Sequence, residues 1–453
     1  MTSQLNTQSV ASLNARIDRL PKVGIGAGVL ALMAFAYFFA FYDITAAGVA
    51  LPSIIKQYHL TGSESALPLT TNLVGYIIGA YLFGSLADAI GRKRSLEWAL
   101  LVLALGAVLT ACSWNYQSLA LFRFITGIGI GAQIAVCATM MSELAPANQR
   151  AKYVQINVIW AGVGDAAAPF VGVALVNSSV GGWRWVFAVG AIALVALLFT
   201  RTLPESPRWL ALHGRLEEAQ GIVDKMEQKV LNLTGTALPD AIDVPAEAEG
   251  SGFPTLALFK RPYLSRLLVV FLYWILLYLV VYGFLGYEPV LLGKMGLSSP
   301  QSILYTALGD IAFPIGAALP LLVIKSVARK YILFVSALMM GVAMAVLAIS
   351  HSGFVVFIGA FLTSLMILPL SGIAYTYTSE IFPTRARASA MSVADGVGHL
   401  GGVIAPYIIL AGMSTWGARG AFWLLCILMV VCGLLIFIGG VRTKNEGLTE
   451  LSG

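Results

Sequence analysis

Twelve runs of about twenty mostly apolar residues recur along this chain, and short polar or charged segments separate them. A helix needs about 20 apolar residues to cross the hydrocarbon core of a bilayer, where its backbone N–H and C=O groups must bond within the segment. The pattern therefore predicts twelve membrane-spanning helices, called spans 1 to 12. They lie near residues 24–51, 67–88, 95–113, 116–142, 151–176, 182–203, 264–288, 300–325, 329–350, 353–380, 386–412 and 416–441.

A five-residue motif occurs twice, in the same order and with the same spacing. The two copies are Ser142, Glu143, Pro146, Arg150 and Ala151, and Ser379, Glu380, Pro383, Arg387 and Ala388. Each copy lies between two apolar runs. Duplicated membrane units place a binding site where the two halves meet. We therefore predict an all-helical membrane protein of two pseudosymmetric six-helix halves.

Composition agrees with this prediction and excludes a soluble protein. Hydrophobic residues make up 58% of the chain and charged residues 11%, whereas roughly a quarter of the residues in soluble domains are charged. Most Lys and Arg residues lie on the same side of the predicted bundle as the two chain ends, which marks that side as cytoplasmic. The exceptions are Lys56, Arg184, Lys294, Arg419 and the intramembrane Arg123. We expect a multi-pass protein of the plasma membrane with both termini cytoplasmic, whose net charge of +6 reflects orientation and not a nucleic-acid partner.

The longest polar stretch divides the chain between spans 6 and 7. Its first part, residues 207–231, has apolar residues at helical spacing opposite charged ones, which predicts a helix on the cytoplasmic face. Residues 234–252 are rich in Pro, Ala, Gly and acidic residues and are typical of a linker. The predicted organisation is a cytoplasmic tail over 1–23, a helical half over 24–203, a cytoplasmic central loop over 204–262, a second half over 263–441 and a tail over 442–453.

The four cysteines give no indication of a metal site. Cys112, Cys137, Cys426 and Cys432 lie in or beside apolar runs without metal-ligand spacing. We expect no metal and no other cofactor. The sequence has no nucleophile and base constellation and no phosphate-binding glycine loop, so we do not expect an enzyme. We expect a monomer that contacts the bilayer, a small solute and protons.

Three further segments carry a family resemblance. Residues 84–94 (GSLADAIGRKR) join spans 2 and 3, residues 123–131 (RFITGIGIG) lie in span 4, and residues 204–210 (PESPRWL) follow span 6. With the duplicated motif they resemble the major facilitator superfamily, and within it the branch of sugar porters, organic cation and anion transporters, aromatic-acid/proton symporters and synaptic vesicle glycoproteins. The resemblance implies a transporter whose halves rock about a central site. Candidates for gating contacts at the cytoplasmic helix ends are Asp88, Arg92, Arg94, Glu143, Arg150, Glu380 and Arg387.

Ionisable groups within the predicted spans are few, and each costs about 2.5–3.5 kcal/mol at the bilayer centre unless it has a partner or a task. They are Asp43, Arg123, Asp165, Glu288, Asp310, Asp395 and His399. In proton-coupled sugar porters an acid after an aromatic residue in span 1 pairs with an arginine in span 4, and Asp43 and Arg123 match both positions. The resemblance therefore implies proton coupling through this pair, with a static buried ion pair as the alternative.

Asp395 and His399 lie four residues apart in span 11 and thus on one helix face. Aligned on the Glu380 motif, His399 occupies the position at which organic ion transporters carry an aspartate or an arginine, and Asp310 lies near a glutamate position of the cation carriers. The alternatives are a histidine bonded within its own helix and a structural Asp310. Asp165 lies among small residues, which favours a cavity-facing acid.

Span 7 differs from the sugar porters, which carry a glutamine pair and an asparagine there to bind hydroxyl groups. This chain has Leu276, Leu277 and Tyr282 at those positions. Spans 7 and 10 instead offer aromatic side chains suited to a flat organic molecule. The candidate solute-binding residues are Arg123, Gln133, Asp165, Tyr278, Tyr282, Asp310, Tyr375, Asp395 and His399.

We therefore predict a secondary active transporter that carries a small organic carboxylic acid, aromatic or monocarboxylic, together with a proton as coupling ion. Arg123 or protonated His399 would neutralise the carboxylate of the solute. The alternatives are an organic cation carrier that uses Asp165, Asp310 and Asp395, a sugar/proton symporter, and a binding or scaffold protein on the same fold.

Overall fold

The computed structural model describes residues 12–241, 258–259, 263–323, 327–382 and 384–443, and regular structure in these ranges is entirely helical. A short helix, α1, covers residues 12–18. The first half contains α2 (Ala27–Tyr58), α3 (Gly62–Ile90), α4 (Arg92–Ala111), α5 (Tyr116–Leu144), α6 (Arg150–Leu175), α7 (Trp183–Gly190) and α8 (Val195–Phe199). Two helices outside the membrane follow, α9 (Pro207–Leu212) and α10 (Leu216–Thr234). The second half contains α11 (Tyr263–Lys294), α12 (Ser299–Asp310), α13 (Ala312–Ala318), α14 (Pro320–Val323), α15 (Arg329–Ile349), α16 (Gly353–Glu380) and α17 (Thr384–Gly439).

The predicted number of membrane spans is confirmed. Within the described ranges, 11 helical stretches are long and apolar enough to cross a membrane, and the last, Ala390–Gly439, has 50 residues. This stretch is two spans, because Gly417 interrupts it with φ 70° and ψ −178°, a conformation open to glycine. Span 8 is broken into α12, α13 and α14. Pro314 has no N–H to donate to the carbonyl of Asp310, and α12 ends at that residue.

Close packing of α3 on α5 positions one of the intramembrane charges. A Cβ at Gly127 would collide with the carbonyl of Asn72, and one at Gly131 would collide with the carbonyl of Tyr76. The four-residue glycine spacing thus serves close helix approach. At this contact the side-chain amide of Asn72 donates to the backbone carbonyl of Arg123 at 2.9 Å.

The two halves contact each other near both ends of the bundle. We call the side that carries α9 and α10 the α10 face. At the opposite face, the hydroxyls of Ser65 and Tyr287 lie 3.3 Å apart, and Gly48 packs on the backbone of Leu285. Tyr375, near the end of α16 on the α10 face, is 37% exposed. Toward the α10 face, the Gln155 side-chain amide of α6 donates to the Ala317 carbonyl of α13 at 2.6 Å, so the halves also touch there.

α1 and α10 form a docked pair on the α10 face. The helix predicted over 207–231 is two helices, because the chain turns at Gly214 with φ 76°. Glu227 of α10 accepts hydrogen bonds from Arg16 at 2.6 Å and from Arg19 at 2.7 Å. The apolar stripe of α10 lies in one cluster with the N-terminal segment, and its members are Ala219, Val223, Met226, Val230, Leu13, Ile17 and Leu20. Residues 12–20 are thus docked on α10, which the prediction of a cytoplasmic tail over 1–23 did not include. Most of the linker predicted over 234–252 lies outside the described residues.

Candidate transport site

Asp43 of α2 and Arg123 of α5 form an ion pair that is sealed inside the first half. The Arg123 Nη1 to Asp43 Oδ2 distance is 2.5 Å, and each side chain is 1% exposed. The guanidinium also lies 5.0 Å from the centre of the Phe187 ring. Asp43 Oδ1 and Arg123 Nε have no hydrogen-bond partner among the described residues. Each buried charge is thus compensated by the other, which makes the pair sensitive to the loss of either charge.

Seven side chains at the meeting of the halves form a second site, which we call the tyrosine cage. Its members are Tyr76, Trp274, Tyr278, Tyr282, Tyr375, Asp395 and His399. Asp395 Oδ1 accepts from the hydroxyl of Tyr278 at 2.9 Å and from that of Tyr375 at 2.5 Å. The Asp395 side chain is 24% exposed. A carboxylate with two phenol donors therefore faces the space between the halves.

His399 is the buried centre of the cage. Its Nδ1 lies 2.9 Å from the Asp395 carbonyl oxygen, an acceptor, so Nδ1 carries a proton in this arrangement. In the neutral ring Nε2 then accepts from the Tyr282 hydroxyl at 3.3 Å. The ring is stacked on Tyr76 at 4.3 Å. His399 is thus bonded within its helix, as the alternative interpretation held, and also belongs to the cage.

Three further acidic side chains are buried near the contact of the two halves. They are Asp165 of α6, Glu288 of α11 and Asp310 of α12. Asp165 Oδ1 accepts from the Thr45 hydroxyl at 2.6 Å, and Asp310 Oδ1 accepts from the Ser364 hydroxyl at 2.7 Å. Glu288 is 1% exposed and interacts electrostatically with Asp310. We call Asp165, Glu288 and Asp310 the buried acid group. Glu288 directly precedes Pro289 in α11, and its side chain is buried inside the protein.

The duplicated motif takes part in duplicated ion pairs on the α10 face. Glu143 receives two hydrogen bonds from Arg92, at 3.0 Å from Nε and 2.9 Å from Nη2. Glu380 pairs with Arg329 at 3.1 Å, and the sequence offset from Arg92 to Arg329 equals that from Glu143 to Glu380. Each pair joins helices of a single half. In this conformation the two pairs therefore brace the halves separately and do not bridge them.

The remaining gating candidates have different surroundings. Asp88, 75% exposed, pairs with Arg92 at 2.9 Å, and Arg150 lies 3.5 Å from Asp18 of the N-terminal segment. No ion pair of Arg94 is found in the part of the chain that the structure describes, and the side chain of Arg387 lies outside that part. Only Asp88, Arg92 and Glu143 thus form one connected network.

Glu205 orders the turn between α3 and α4. Its carboxylate accepts from the backbone N–H of Arg92 at 2.8 Å and from that of Lys93 at 3.2 Å. Acidic groups are stabilising at a helix N-terminus because the first N–H groups there have no partner within the helix. Gly91 enters the turn with φ 97°. The segment PESPRWL therefore positions the gating residue Arg92.

Four of the nine predicted solute-binding residues lie outside the cage. Asp165 and Asp310 belong to the buried acid group, and Gln133 and Arg123 have other surroundings. The Gln133 side chain is buried and donates to the backbone carbonyl of Ala36, so it joins α5 to α2. Arg123 is enclosed with Asp43 and has no contact with the cage among the described residues. The structure thus brings together Tyr278, Tyr282, Tyr375, Asp395 and His399, and it separates them from Gln133 and Arg123.

Sequence reasoning missed Tyr76, the cage residue supplied by the first half. Tyr76 follows Asn72 by four residues, so both polar side chains share one face of an apolar helix. This spacing of two polar side chains could have indicated Tyr76 as a candidate site residue. Thr45 and Ser364, which donate to buried carboxylates, had no comparable signal because hydroxyl groups are common within membrane helices.

Comparison with known proteins places this geometry in a family. The family model described as "Sugar (and other) transporter" matches residues 22–452. A putative metabolite transport protein, YyaJ of Bacillus subtilis, is 28% identical over 442 residues, which are 96% of this chain and 97% of that protein. The niacin transporter NiaP of Acinetobacter baylyi is 27% identical and covers 97% of this chain and 99% of its own length. The arabinose-proton symporter of Bacillus subtilis is 25% identical, with 90% of both chains covered.

Solved structures show the same fold. The inward open conformation of the xylose transporter XylE from E. coli has a TM-score of 0.76 at 22% sequence identity, and the match covers 93% of this chain and 98% of that chain. The twelve-span, two-half architecture is therefore that of the major facilitator fold. The chain belongs to the Sugar (and other) transporter family, and it is a membrane transporter of small molecules and not an enzyme.

Proposed function

We propose that this transporter carries a small, flat organic acid together with a proton, and that the solute binds at the tyrosine cage. The cage itself is the observation that carries the proposal. Its rings come from both halves, and Asp395 and Tyr375 are partly exposed. A site shared by two rocking halves can be opened to either side of the membrane in turn.

Ring stacking favours a flat solute. Trp274 lies 4.7 Å from Tyr375 and 5.1 Å from Tyr278 between ring centres, distances at which aromatic pairs attract. A planar solute could replace one ring of such a pair without loss of stacking. Two relatives carry names that fit, the niacin transporter of Acinetobacter baylyi and a putative niacin/nicotinamide transporter of Bacillus subtilis. Niacin is an aromatic ring that bears a carboxyl group.

Asp395 can link binding of the organic acid at the cage to uptake of a proton. Ionised Asp395 repels a solute carboxylate and also occupies the hydroxyls of Tyr278 and Tyr375. Protonation removes the repulsion and frees these phenols to donate to the solute. The proton and the carboxylate then cross as a neutral pair, whereas one net charge moved across 100 mV involves about 2.3 kcal/mol.

The pair Asp43 and Arg123 supplies the second part of the coupling proposal. Protonation of Asp43 removes the charge that attracts Arg123 across α2 and α5. α2 also packs on α11 of the second half where Gly48 meets Leu285. A change at Asp43 can therefore alter the contact between the halves as well as the contact within one half.

Two other solute classes have specific support. Organic cations are favoured by Asp395, which has no Lys or Arg partner among the described residues and lies among aromatic rings that attract cations. Sugars are favoured by relatives named arabinose-proton symporter and glucose transporter. The absence of the glutamine pair in span 7 weighs against sugars, because Leu276 and Leu277 cannot bind hydroxyl groups.

The placement of the chain in the cell completes the proposal. We assign the α10 face to the cytoplasm, because Arg92, Lys93 and the basic residues of the central loop lie there. The transporter then lies in the plasma membrane with both termini cytoplasmic. The halves span 24–203 and 263–441, and the protein acts as a monomer.

Uptake by proteoliposomes tests the solute class. Vesicles with a neutral interior are placed in acidic buffer and offered radiolabelled nicotinate, benzoate, glucose or tetraethylammonium. We expect saturable accumulation of an aromatic acid that stops when a protonophore collapses the gradient. Weak acids also diffuse through lipid, so the controls are protein-free vesicles and vesicles that contain Tyr278→Ala. Accumulation of glucose or of the cation alone would contradict the proposal, and binding without flux would indicate a scaffold protein.

A further inference from the structure

The buried acid group lies where α6 of the first half contacts α12 and α13 of the second. A Cβ at Gly162 would lie 2.9 Å from Pro314, and one at Gly172 would lie 3.3 Å from Ile303. Asp165 follows Gly162 by three residues and precedes Gly172 by seven, so it lies on this same helix face.

Asp310 lies between Ile303 and Pro314 in the facing segment, and the Asp165 and Asp310 carboxyls interact electrostatically. Asp310 interacts in the same way with Glu288 of α11. All three side chains are nearly inaccessible, with relative exposures of 2%, 0% and 1% for Asp165, Asp310 and Glu288. Three acids from both halves thus share one buried region.

No basic side chain among the described residues compensates these acids. The groups that face them are the hydroxyls of Thr45 and Ser364, which donate to Asp165 and Asp310, and Tyr282, which interacts electrostatically with Asp165. Three ionised carboxylates without a cation would repel one another strongly at this depth. The described residues also contain no group of three His, Cys, Asp or Glu side chains arranged to hold a metal ion.

Buried carboxylate oxygens without hydrogen-bond partners among the described residues indicate that these acids carry protons. Among the described residues, Asp310 Oδ2 and Glu288 Oε1 are buried without a hydrogen-bond partner, and the Thr306 hydroxyl lies beside Glu288. An ionised carboxylate can only accept hydrogen bonds, whereas a protonated carboxyl supplies one O–H donor. Protons on these acids would therefore satisfy oxygens that the protein leaves bare.

We propose that Asp165, Glu288 and Asp310 form a second proton-binding site that is shared by the two halves and is separate from Asp43 and Arg123. A proton binds to a carboxylate oxygen without any other bond change, and it leaves to water when the halves separate. When protons are bound at the site, α6 can contact α12 and α13. When the site has lost its protons, ionised Asp165 of the first half repels Asp310 and Glu288 of the second half, and this repulsion favours separation of the halves.

Infrared difference spectroscopy of the reconstituted protein tests the proposal without any solute. The carboxyl C=O stretch reports buried protonated acids directly. We expect such a band at neutral pH in the unmodified protein and its bleaching as the buffer is made alkaline. Asp310→Asn and Glu288→Gln should each remove a resolved component of the band. Asp43→Asn should leave the band intact, because Asp43 is ion-paired in this conformation.

Each other outcome overturns the proposal. A missing band in the unmodified protein shows that the acids are ionised. A band that survives both Asp310→Asn and Glu288→Gln belongs to other residues, and a band that disappears when Na⁺ replaces K⁺ at constant pH shows a sodium site. Asp165→Asn provides a third variant if one of the others fails to purify as a single species. The readout is independent of the transported solute, so failure of the acid/proton symport proposal would leave this result unaffected.

Discussion

The rings of Tyr76 and His399 stack with their centres 4.3 Å apart and their planes inclined by 19°, although they belong to opposite halves of the transporter. On its other side His399 meets Tyr278, also at 4.3 Å. The histidine is thus held between a ring of α3 and a ring of α11. Rocking of the halves must either separate Tyr76 from His399 or carry them together, so the solute site and the conformational change share this contact.

Replacement of Tyr76 tests that relationship. Aromatic pairs contribute about 0.5–1.5 kcal/mol beyond the area they bury, which corresponds to about a 2- to 10-fold change in an equilibrium. We expect Tyr76→Ala to raise the KM for solute uptake by that factor. Tyr76→Phe keeps the ring and is the matched control, with an expected change of less than about 2-fold. Equal effects of the two variants would show that the hydroxyl matters and the stack does not.

Replacement of Asp43 separates coupling from binding. Asp43→Asn cannot exchange a proton, so we expect loss of accumulation driven by a pH gradient and retention of solute exchange between the two sides of the membrane. The variant leaves Arg123 buried without its counter-charge, a loss that costs about 3–5 kcal/mol for such pairs. The double variant Asp43→Asn with Arg123→Gln removes both charges and controls for this instability. Unchanged accumulation in stable Asp43→Asn protein would exclude Asp43 from coupling.

The fold was predictable because lipid imposes a simple rule on the backbone. Apolar runs of about 20 residues identify spans whatever their partners are, and charges within such runs are conspicuous. Asp43 and Arg123 could therefore be found from the sequence, and they do form a pair. The apolar run of span 12 was sufficient to predict this span, although in the structure span 12 is separated from span 11 by a single non-helical residue, Gly417.

The missed residues are those whose role depends on a distant partner. Tyr76 is an aromatic residue in an apolar helix, and only the arrangement of the two halves brings His399 to it. The pairing of Glu143 with Arg92 also depends on where separate helix ends meet. Residues 12–20 have Leu13, Ile17 and Leu20 at helical spacing, but they dock on the stripe and the charges of α10, and 211 residues separate Arg16 from Glu227. Local periodicity carries no information on such contacts.

Replacement of Glu143 tests the bracing of the first half. The two hydrogen bonds from Arg92 are largely shielded from water, with the side chains 10% and 9% exposed. Loss of hydrogen bonds between charged groups costs about 1.5–3 kcal/mol, so we expect Glu143→Gln to lower the free energy of unfolding in detergent by that amount. Asp88→Asn is the control on the same arginine. Because Asp88 is mostly exposed, its loss should cost less than about 1 kcal/mol. Equal destabilisation by both variants would contradict this view of the network.

Replacement of Asp395 distinguishes acid carriers from cation carriers. For a carboxylate solute, Asp395→Asn removes a repulsive charge, so binding at neutral pH should be at least as tight as in the unmodified protein. For a cationic solute the same change removes the attractive charge, and binding should be lost. Calorimetric titration at neutral and acidic pH measures both effects. Tyr278→Phe is the companion variant, because it removes a phenol donor to Asp395 and leaves the carboxylate charge.

Acidification should detach α1 from α10. Burial alone would raise the pKa of the Glu227 carboxyl, but hydrogen bonds from Arg16 and Arg19 outweigh burial and hold that pKa below its ordinary value of 4.5. A carboxyl whose pKa is lower in the docked state than in the detached state stabilises docking fully at pH values above its detached-state pKa. This stabilisation is lost as the pH falls through its docked-state pKa. We therefore expect docking to be unaffected from neutral pH down to about 4.5 and to weaken below it.

Hydrogen exchange of the α1 amides, corrected for the intrinsic effect of pH on exchange, measures this detachment. Glu227→Gln should raise exchange in α1 at neutral pH and reduce its acid dependence, because the amide keeps the shape of the side chain and loses its charge, whereas the ion pair of Arg16 with Asp224 at 2.5 Å remains. Glu218→Gln is the matched control, since Glu218 pairs with Arg215 at 2.6 Å beside the start of the same helix and does not contact α1 among the described residues. Full protection of α1 in Glu227→Gln would show that the apolar stripe of α10 and the remaining pair of Arg16 with Asp224 suffice to hold the segment, and that Glu227 contributes nothing to its docking.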